Sequence, residues 1–133
     1  MNSKYIYIDS SDAIAGTNNN NITIQLAQTI DRFHKIKLLW FHTTNASFSG
    51  AIFIKINQIS NNITCSRSNF MFNFIIPINS SEVTTIDYTD GEGFHQECPI
   101  EGLTLSMLNF SLYAPNGNLL SGVNEWYALF EVS

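Results

Sequence analysis

Hydrophobic residues occupy every second position along most of this chain, which is the spacing of β-strands. The first such run, residues 5–8, alternates Tyr with Ile and is followed by four polar residues. A turn of one Gly, one Thr and four Asn at 16–21 separates it from a second run at 22–26. These turn residues tolerate left-handed backbone and hydrogen-bond to their own main chain. The pattern predicts two strands joined by polar loops, whereas residues 27–32 fit either a helical turn or an extended crossing.

The third run, residues 35–41, has Ile36, Leu38 and Trp40 on one face. The opposite face begins with two lysines and becomes apolar at its last two positions. A strand that is exposed at one end and covered at the other has this pattern. We therefore expect the apolar end to be covered by another segment or by a neighbouring subunit. The candidate subunit interface comprises four residues, Leu39, Phe41, Phe48 and Phe94.

Further alternating runs follow at 51–59, 63–65, 70–76, 83–88, 103–113 and 125–132. The most regular apolar face belongs to the run at 70–76, and we expect its side chains in the middle of the core. Pro77 ends that run because proline cannot donate a hydrogen bond to a sheet. Within 103–113 the apolar positions change phase near Ser106 and Met107, which indicates a β-bulge or a twist. The last run predicts an inward face of Trp126, Ala128, Phe130 and Val132.

About eight strands at this spacing, with no helical period longer than one turn, predict an all-β fold. The expected architecture is an antiparallel β-sandwich. The length of 133 residues and the mass of 15.0 kDa fit one domain spanning residues 1–133.

Charged residues make up only 13% of the chain, about half the usual share, so Asn, Ser and Thr must supply most of the polar surface. Such a surface favours contacts between copies, because few charges lose their water. The net charge of −5 leaves no basic stripe, and direct nucleic-acid binding is not expected. No apolar run is long enough to predict a membrane span. The first residues lead directly into a strand, so we expect synthesis in a cytoplasm.

The sequence contains no nucleophile-elbow, phosphate-loop or metalloprotease motif, so an enzyme is not expected, nor is a cofactor or a metal. His34 and His42 flank the third run, and we expect them to bond backbone or water rather than a metal. The acidic segment 87–97 is expected to be a solvated loop, with a bound cation as the alternative. Cys65 and Cys98 are expected to be buried thiols, with one disulfide as the alternative.

Several short motifs resemble the small virion proteins of large DNA viruses and tailless icosahedral phages. They are YIDS at 7–10, GT at 16–17, ITIQL at 22–26 and IKLL at 36–39, and the closing similarity lies at 108–113 and 126–131. The segment TTNASF at 43–48 stands where such proteins often carry IPNS, so the proline is missing here. The similarity covers both ends of the chain but not its middle.

This resemblance implies a jelly-roll coat component located in the virion, such as a penton protein at five-fold vertices. Its expected partners are copies of itself, as a homopentamer, and other capsid proteins. The alternative function is a carbohydrate- or receptor-binding module, which exposed coplanar aromatic rings on a sheet face would favour. Five aromatic residues are candidates for such a platform or for a subunit contact, namely Trp40, Phe41, Phe48, Phe94 and Trp126. Most of them are expected in the core, as aromatic residues of strands usually are.

Overall fold

A computed structural model describes residues 3–44, 51–60, 63–64, 71–78, 85–89 and 96–133. These residues form twelve strands and one 3₁₀ turn, Ser10–Asp12. The strands are β1 (Lys4–Asp9), β2 (Ala15–Asn18), β3 (Asn21–Ile30), β4 (Lys35–Thr44), β5 (Ala51–Ile56), β6 (Ile63–Thr64), β7 (Met71–Phe72), β8 (Phe74–Pro77), β9 (Thr85–Thr89), β10 (Glu97–Pro99), β11 (Leu105–Tyr113) and β12 (Trp126–Val132).

Two five-stranded sheets pack against each other, and every strand pairing in them is antiparallel. The first sheet has the order β1-β12-β4, and both β9 and β10 pair with the far edge of β4. The second sheet has the order β2-β3-β11-β5-β8, and β6 pairs with β7 apart from both sheets. The predicted all-β antiparallel sandwich is confirmed.

The core lies between the two sheets, where alternate residues of facing strands are removed from water. The predicted inward face of β12 is confirmed, because its four apolar residues are fully buried. The ring of Phe110, from the second sheet, lies 5.4 Å from the Trp126 ring and 6.0 Å from the Phe130 ring of the first. Burial of such large side chains is the main source of stability in a sandwich of this size.

A β-bulge reverses the two faces of β4 halfway along the strand. Leu129 pairs with Trp40 and Phe130 pairs with Leu38, so Leu39 has no partner on β12. Ile36 and Leu38 point into the core before the bulge, and Phe41 and Thr43 do so after it. The prediction that Trp40 shares a face with Ile36 and Leu38, with Phe41 on the opposite face, was therefore wrong, because it assumed unbroken alternation.

The bulge predicted in the run 103–113 is confirmed. Leu105 pairs with Ile30, whereas Met107 pairs with Gln25, so the register of β11 against β3 shifts between these pairs. Residues 27–30, which the sequence left open, are extended and complete β3. Arg32 follows with a φ of 65°, which turns the chain towards β4.

The run 70–76 is divided rather than continuous. Asn73 lies between β7 and β8, and it is buried. Phe72, Phe74 and Ile76 are all fully buried as expected, and the Phe72 ring lies 4.4 Å from that of Phe53. The predicted buried apolar face is confirmed for these three residues, whereas Phe70 lies outside the described residues.

Candidate ligand-binding face

The outer face of the first sheet carries side chains in two rows across its strands. In one row Tyr7 of β1 pairs with Leu129 of β12, which pairs with Trp40 of β4. In the next row Tyr127 of β12 pairs with His42 of β4. The bulge creates this arrangement, because it turns Trp40 and His42 outward. We refer to these five residues, Tyr7, Trp40, His42, Tyr127 and Leu129, as the aromatic face.

The rings of the aromatic face lie beside one another at nearly parallel angles. The Tyr7 and Trp40 ring centres are 6.5 Å apart with 30° between their planes. The Trp40 and His42 rings are 6.1 Å apart at 10°, and the His42 and Tyr127 rings are 6.2 Å apart at 28°. Tyr7 is 58% exposed, while the other members are half-buried. Offset parallel rings at these separations attract one another and hold a fixed geometry.

Carboxylates surround the end of the aromatic face where β12 begins. His42 Nδ1 shares a short hydrogen bond with the Asp87 carboxylate from the neighbouring strand β9. Asp9 lies opposite Tyr127 in the same row. The Tyr127 hydroxyl donates to Glu125 Oε2 at 3.3 Å. This end of the face therefore combines aromatic rings with negative charge.

The two tyrosines of the face remain neutral well above neutral pH. Partial removal from water raises the pKa of Tyr7, and the carboxylates of Asp9 and Asp12 raise it further. Partial removal from water also raises the pKa of Tyr127, with Glu125 as the next cause. Both hydroxyls therefore act as hydrogen-bond donors under ordinary conditions.

An open polar cleft of about 480 Å³ adjoins the aromatic face. Its lining consists of Asn19, His42, Asn124, Glu125 and Tyr127. Two hydrogen bonds fix the position of Asn19. Its side-chain amide donates to Val123 O, and its main-chain carbonyl accepts from the indole N–H of Trp126. Segments about a hundred residues apart in the chain thus form one cleft, which alternation along the sequence does not reveal.

A second concave surface lies along one flank of the sandwich, between the edge of β1 and residues 24–30 of β3. This groove has a volume of about 380 Å³, and the Lys4 ammonium donates to Gln28 Oε1 across it at 2.7 Å. Within the described residues, β1 pairs only with β12, and β3 pairs with β2 only at residues 21 and 23. We refer to this side as the open flank, because unpaired strand edges border it.

The opposite side, formed by β8, β9 and β10, is the closed flank. There the two sheets are connected through buried side chains. Asn73 accepts a hydrogen bond from Ile56 N at 2.6 Å and donates to Ser60 O at 2.9 Å. The thiol of Cys98 donates to Asn73 O at 3.3 Å, and burial raises the pKa of this thiol to about 11.

Of the four candidate interface residues, the structure describes Leu39 and Phe41. Phe41 is fully buried in the chain's own core, with its ring 5.6 Å from that of Trp126, so it cannot contact a neighbouring subunit. Leu39 is half-buried at the bulge. Phe48 and Phe94 lie outside the described residues. The apolar end of β4 is therefore covered, at Phe41, by another segment of the same chain.

Both histidines lie near carboxylates, which the sequence did not predict. His34 Nδ1 lies 3.4 Å from the Glu101 carboxylate, and His42 bonds to Asp87, so both histidines face carboxylates rather than backbone or water alone. Most of the acidic loop 87–97 and Cys65 lie outside the described residues. Among the residues that are described, no cluster of three or more His, Cys, Asp or Glu could hold a metal ion.

Within the same part of the chain, no helix has the length and hydrophobicity needed to cross a membrane. No known family model matches this sequence, and no curated protein does either.

Proposed function

We propose that this chain is a virion structural protein with a jelly-roll fold, acting as a penton at five-fold vertices. The observation that supports it best is the strand order. If β9 and β10 count as one interrupted strand and the short β2, β6 and β7 are set aside, the first sheet contains the first, eighth, third and sixth strands. The second sheet contains the second, seventh, fourth and fifth. A jelly roll places its eight strands in this order, and viral coat proteins use that fold widely.

The two flanks give a physical basis for assembly. Unpaired edges on the open flank offer main-chain donors and acceptors, and the groove between them offers apolar side chains such as Ile24 and Leu26. When the open flank of one copy meets the closed flank of the next, the interface is head-to-tail. Such an interface forms a closed ring if a whole number of copies completes one full turn. The resemblance of residues 7–10 and 22–26 to virion proteins supports the same role, since Tyr7, Asp9 and Leu26 from these segments line the groove of the open flank.

The low charge of the chain also supports assembly. The described part of the open flank carries one lysine, Lys4, and two aspartates, Asp9 and Asp12. Desolvating so few charges costs little, so apolar and main-chain contacts can dominate the affinity. A surface of Asn, Ser and Thr keeps the chain in solution before it assembles.

Native mass spectrometry and light scattering of the purified chain from micromolar to millimolar concentration test this proposal. We expect pentamers, and we expect Ala27→Arg on the exposed part of the open flank to abolish them. Met107→Arg is the matched control, because Met107 is 40% exposed on β11 in the middle of the second sheet. A chain that stays monomeric at every concentration and is not detected by mass spectrometry in particles that carry its gene would overturn the proposal.

A further inference from the structure

Apart from Tyr7, which also lines the groove of the open flank, the aromatic face is not needed for assembly through the flanks, because it lies on the outer surface of the first sheet. Tyr7 and Tyr127 are held there by ring contacts with Trp40 and His42. A fixed set of rings beside an open cleft is a common arrangement in sites for small ligands. The inference below is independent of the proposed function, since a monomer could bind such a ligand.

The cleft beside the face has the chemistry of a site for hydroxyl groups. Asn19 and Asn124 carry side-chain amides, which both donate and accept, and Glu125 accepts. Tyr127 contributes a phenol that is neutral at ordinary pH, and His42 an imidazole. The volume of about 480 Å³ falls within the range of small-ligand sites.

Charge excludes several classes of ligand. Glu125 lines the cleft, Asp87 bonds the imidazole beside it, and Asp9 lies opposite Tyr127. None of the described residues that line the cleft is Lys or Arg. Phosphates, sulfated glycans and sialylated glycans would therefore meet negative charge without a fixed cation to offset it. A neutral ligand with one apolar face and several hydroxyl groups fits both the rings and the cleft.

We propose that the aromatic face and its cleft bind a neutral saccharide. The apolar face of one sugar ring lies against Tyr127, whose ring is held by the His42 ring, which packs in turn on Trp40. The hydroxyl groups of the sugar bond Asn124 and Glu125, which line the cleft. Flat aromatic rings bury the C–H face of a sugar while leaving its hydroxyls free for polar groups at the rim. Tyr5 lies on the same outer face, but outside the aromatic face and its ring contacts, and it is 60% exposed.

The test is an array of neutral oligosaccharides with their sialylated and sulfated counterparts, followed by calorimetric titration with the strongest neutral hit. We expect binding to neutral glycans only. Tyr127→Ala should weaken it about tenfold or more, which corresponds to the loss of about 1.4 kcal/mol. Trp40→Ala removes the ring beside His42 and should weaken it less, because Trp40 does not line the cleft. Tyr5→Ala is the control, because Tyr5 lies on the same strand as Tyr7 and is equally exposed, but is outside the aromatic face. It should change the affinity less than about twofold. Unchanged thermal unfolding of each variant shows that the fold is intact.

Three results would overturn the inference. The first is no binding to any neutral glycan at millimolar concentration. The second is preferential binding of the sialylated or sulfated glycans. The third is an equal loss of affinity in Tyr5→Ala and Tyr127→Ala, which would indicate a nonspecific aromatic surface. If instead Trp40→Ala reduces self-association while no glycan binds, the occupant of the face is a second copy of the chain.

Discussion

The side chain of Gln96 pairs with the backbone of Ile75 as a neighbouring strand would. Gln96 Oε1 accepts from Ile75 N at 2.5 Å, and Gln96 Nε2 donates to Ile75 O at 2.6 Å. Gln96 immediately precedes β10 in the first sheet, and Ile75 lies in β8 of the second. The same Nε2 also donates to the hydroxyl of Tyr88 in β9 at 3.1 Å. One buried amide thus joins the edges of both sheets at the closed flank.

Gln96→Leu should lower the free energy of unfolding by about 1 to 3 kcal/mol, because the partly buried N–H and C=O of Ile75 lose their partner together. Urea denaturation of both proteins measures the difference. Gln28→Leu is the control, since Gln28 is exposed and bonds only the mobile end of Lys4. Its effect should stay within about 0.5 kcal/mol. Equal losses in the two variants would show that the Gln96 hydrogen bonds add no more to the free energy of unfolding than an exposed glutamine does.

Deletion of Leu39 should leave the fold intact, at a cost below about 2 kcal/mol. Leu39 is the residue of β4 without a partner on β12, so its removal restores regular pairing and leaves Trp40 outward and Phe41 inward. Circular dichroism and urea denaturation report whether the chain still folds cooperatively.

The control for this prediction is the deletion of Leu129, which lies across the same bulge on β12. Every residue of β12 has a partner, so this deletion reverses one half of the strand and moves either Trp126 and Ala128 or Phe130 and Val132 out of the core. We expect that chain not to fold. A Leu39 deletion that is as damaging as the Leu129 deletion would contradict the assignment of the bulge.

Gly16→Ala should destabilise the chain by about 3 kcal/mol or more. Gly16 has a φ of 119°, and a Cβ at this position would lie 2.3 Å from the carbonyl oxygen of Asn21 in the adjacent strand. Gly122→Ala is the control, because Gly122 has a φ of 68° but open space around it. Backbone strain alone should cost that variant about 1 to 2 kcal/mol. Thermal unfolding would rank the two, and a reversed order would count against the β2–β3 hairpin.

Stability should fall at alkaline pH because of Cys98. Burial raises the pKa of its thiol from 9.0 to about 11, and the Asn73 hydrogen bond offsets only part of this. The unfolded chain loses the proton first, so the stabilisation is complete below pH 9 and is lost as the pH rises to about 11. Each pKa unit corresponds to about 1.4 kcal/mol, so the loss should be on the order of 2 kcal/mol.

Urea denaturation at several pH values from 8 to 11 measures this loss, with Cys98→Ala as the reference. The tyrosines titrate alike in both proteins, so the difference between the two profiles isolates the thiol. Parallel profiles would mean that the thiolate is tolerated in the core.

The sandwich could be predicted from sequence because burial in paired strands has a period of two, and β12 follows that period without interruption. The bulge of β11 was visible because polar and apolar residues exchange phase at Ser106. The bulge of β4 was not, because Leu39 and Trp40 are both apolar and alternation alone cannot tell which of them is the extra residue. That ambiguity placed Trp40 on the same face as Ile36 and Leu38 and concealed its alignment with Tyr7 and Tyr127 on the outer face.

The remaining differences come from pairings that are distant in sequence. The cleft depends on Asn19 meeting residues 124–127, and the closed flank depends on Gln96 meeting Ile75. The division at Asn73 was missed because Phe72 and Phe74 on either side of it keep perfect alternation. The local pattern of polar and apolar residues indicates which face of a strand a residue prefers. It does not indicate which other segment of the chain packs against that face.

The contrast between the two flanks makes the molecule directional. Gln96 joins the two sheets at the closed flank, whereas β1 and β3 are not paired with each other at the open flank. Copies that bind closed flank to open flank all point the same way around a ring. Such a ring therefore has two different sides, from which the copies run clockwise and anticlockwise. A partner protein above such a ring could read that sense of rotation without contacting any side chain that differs between the copies.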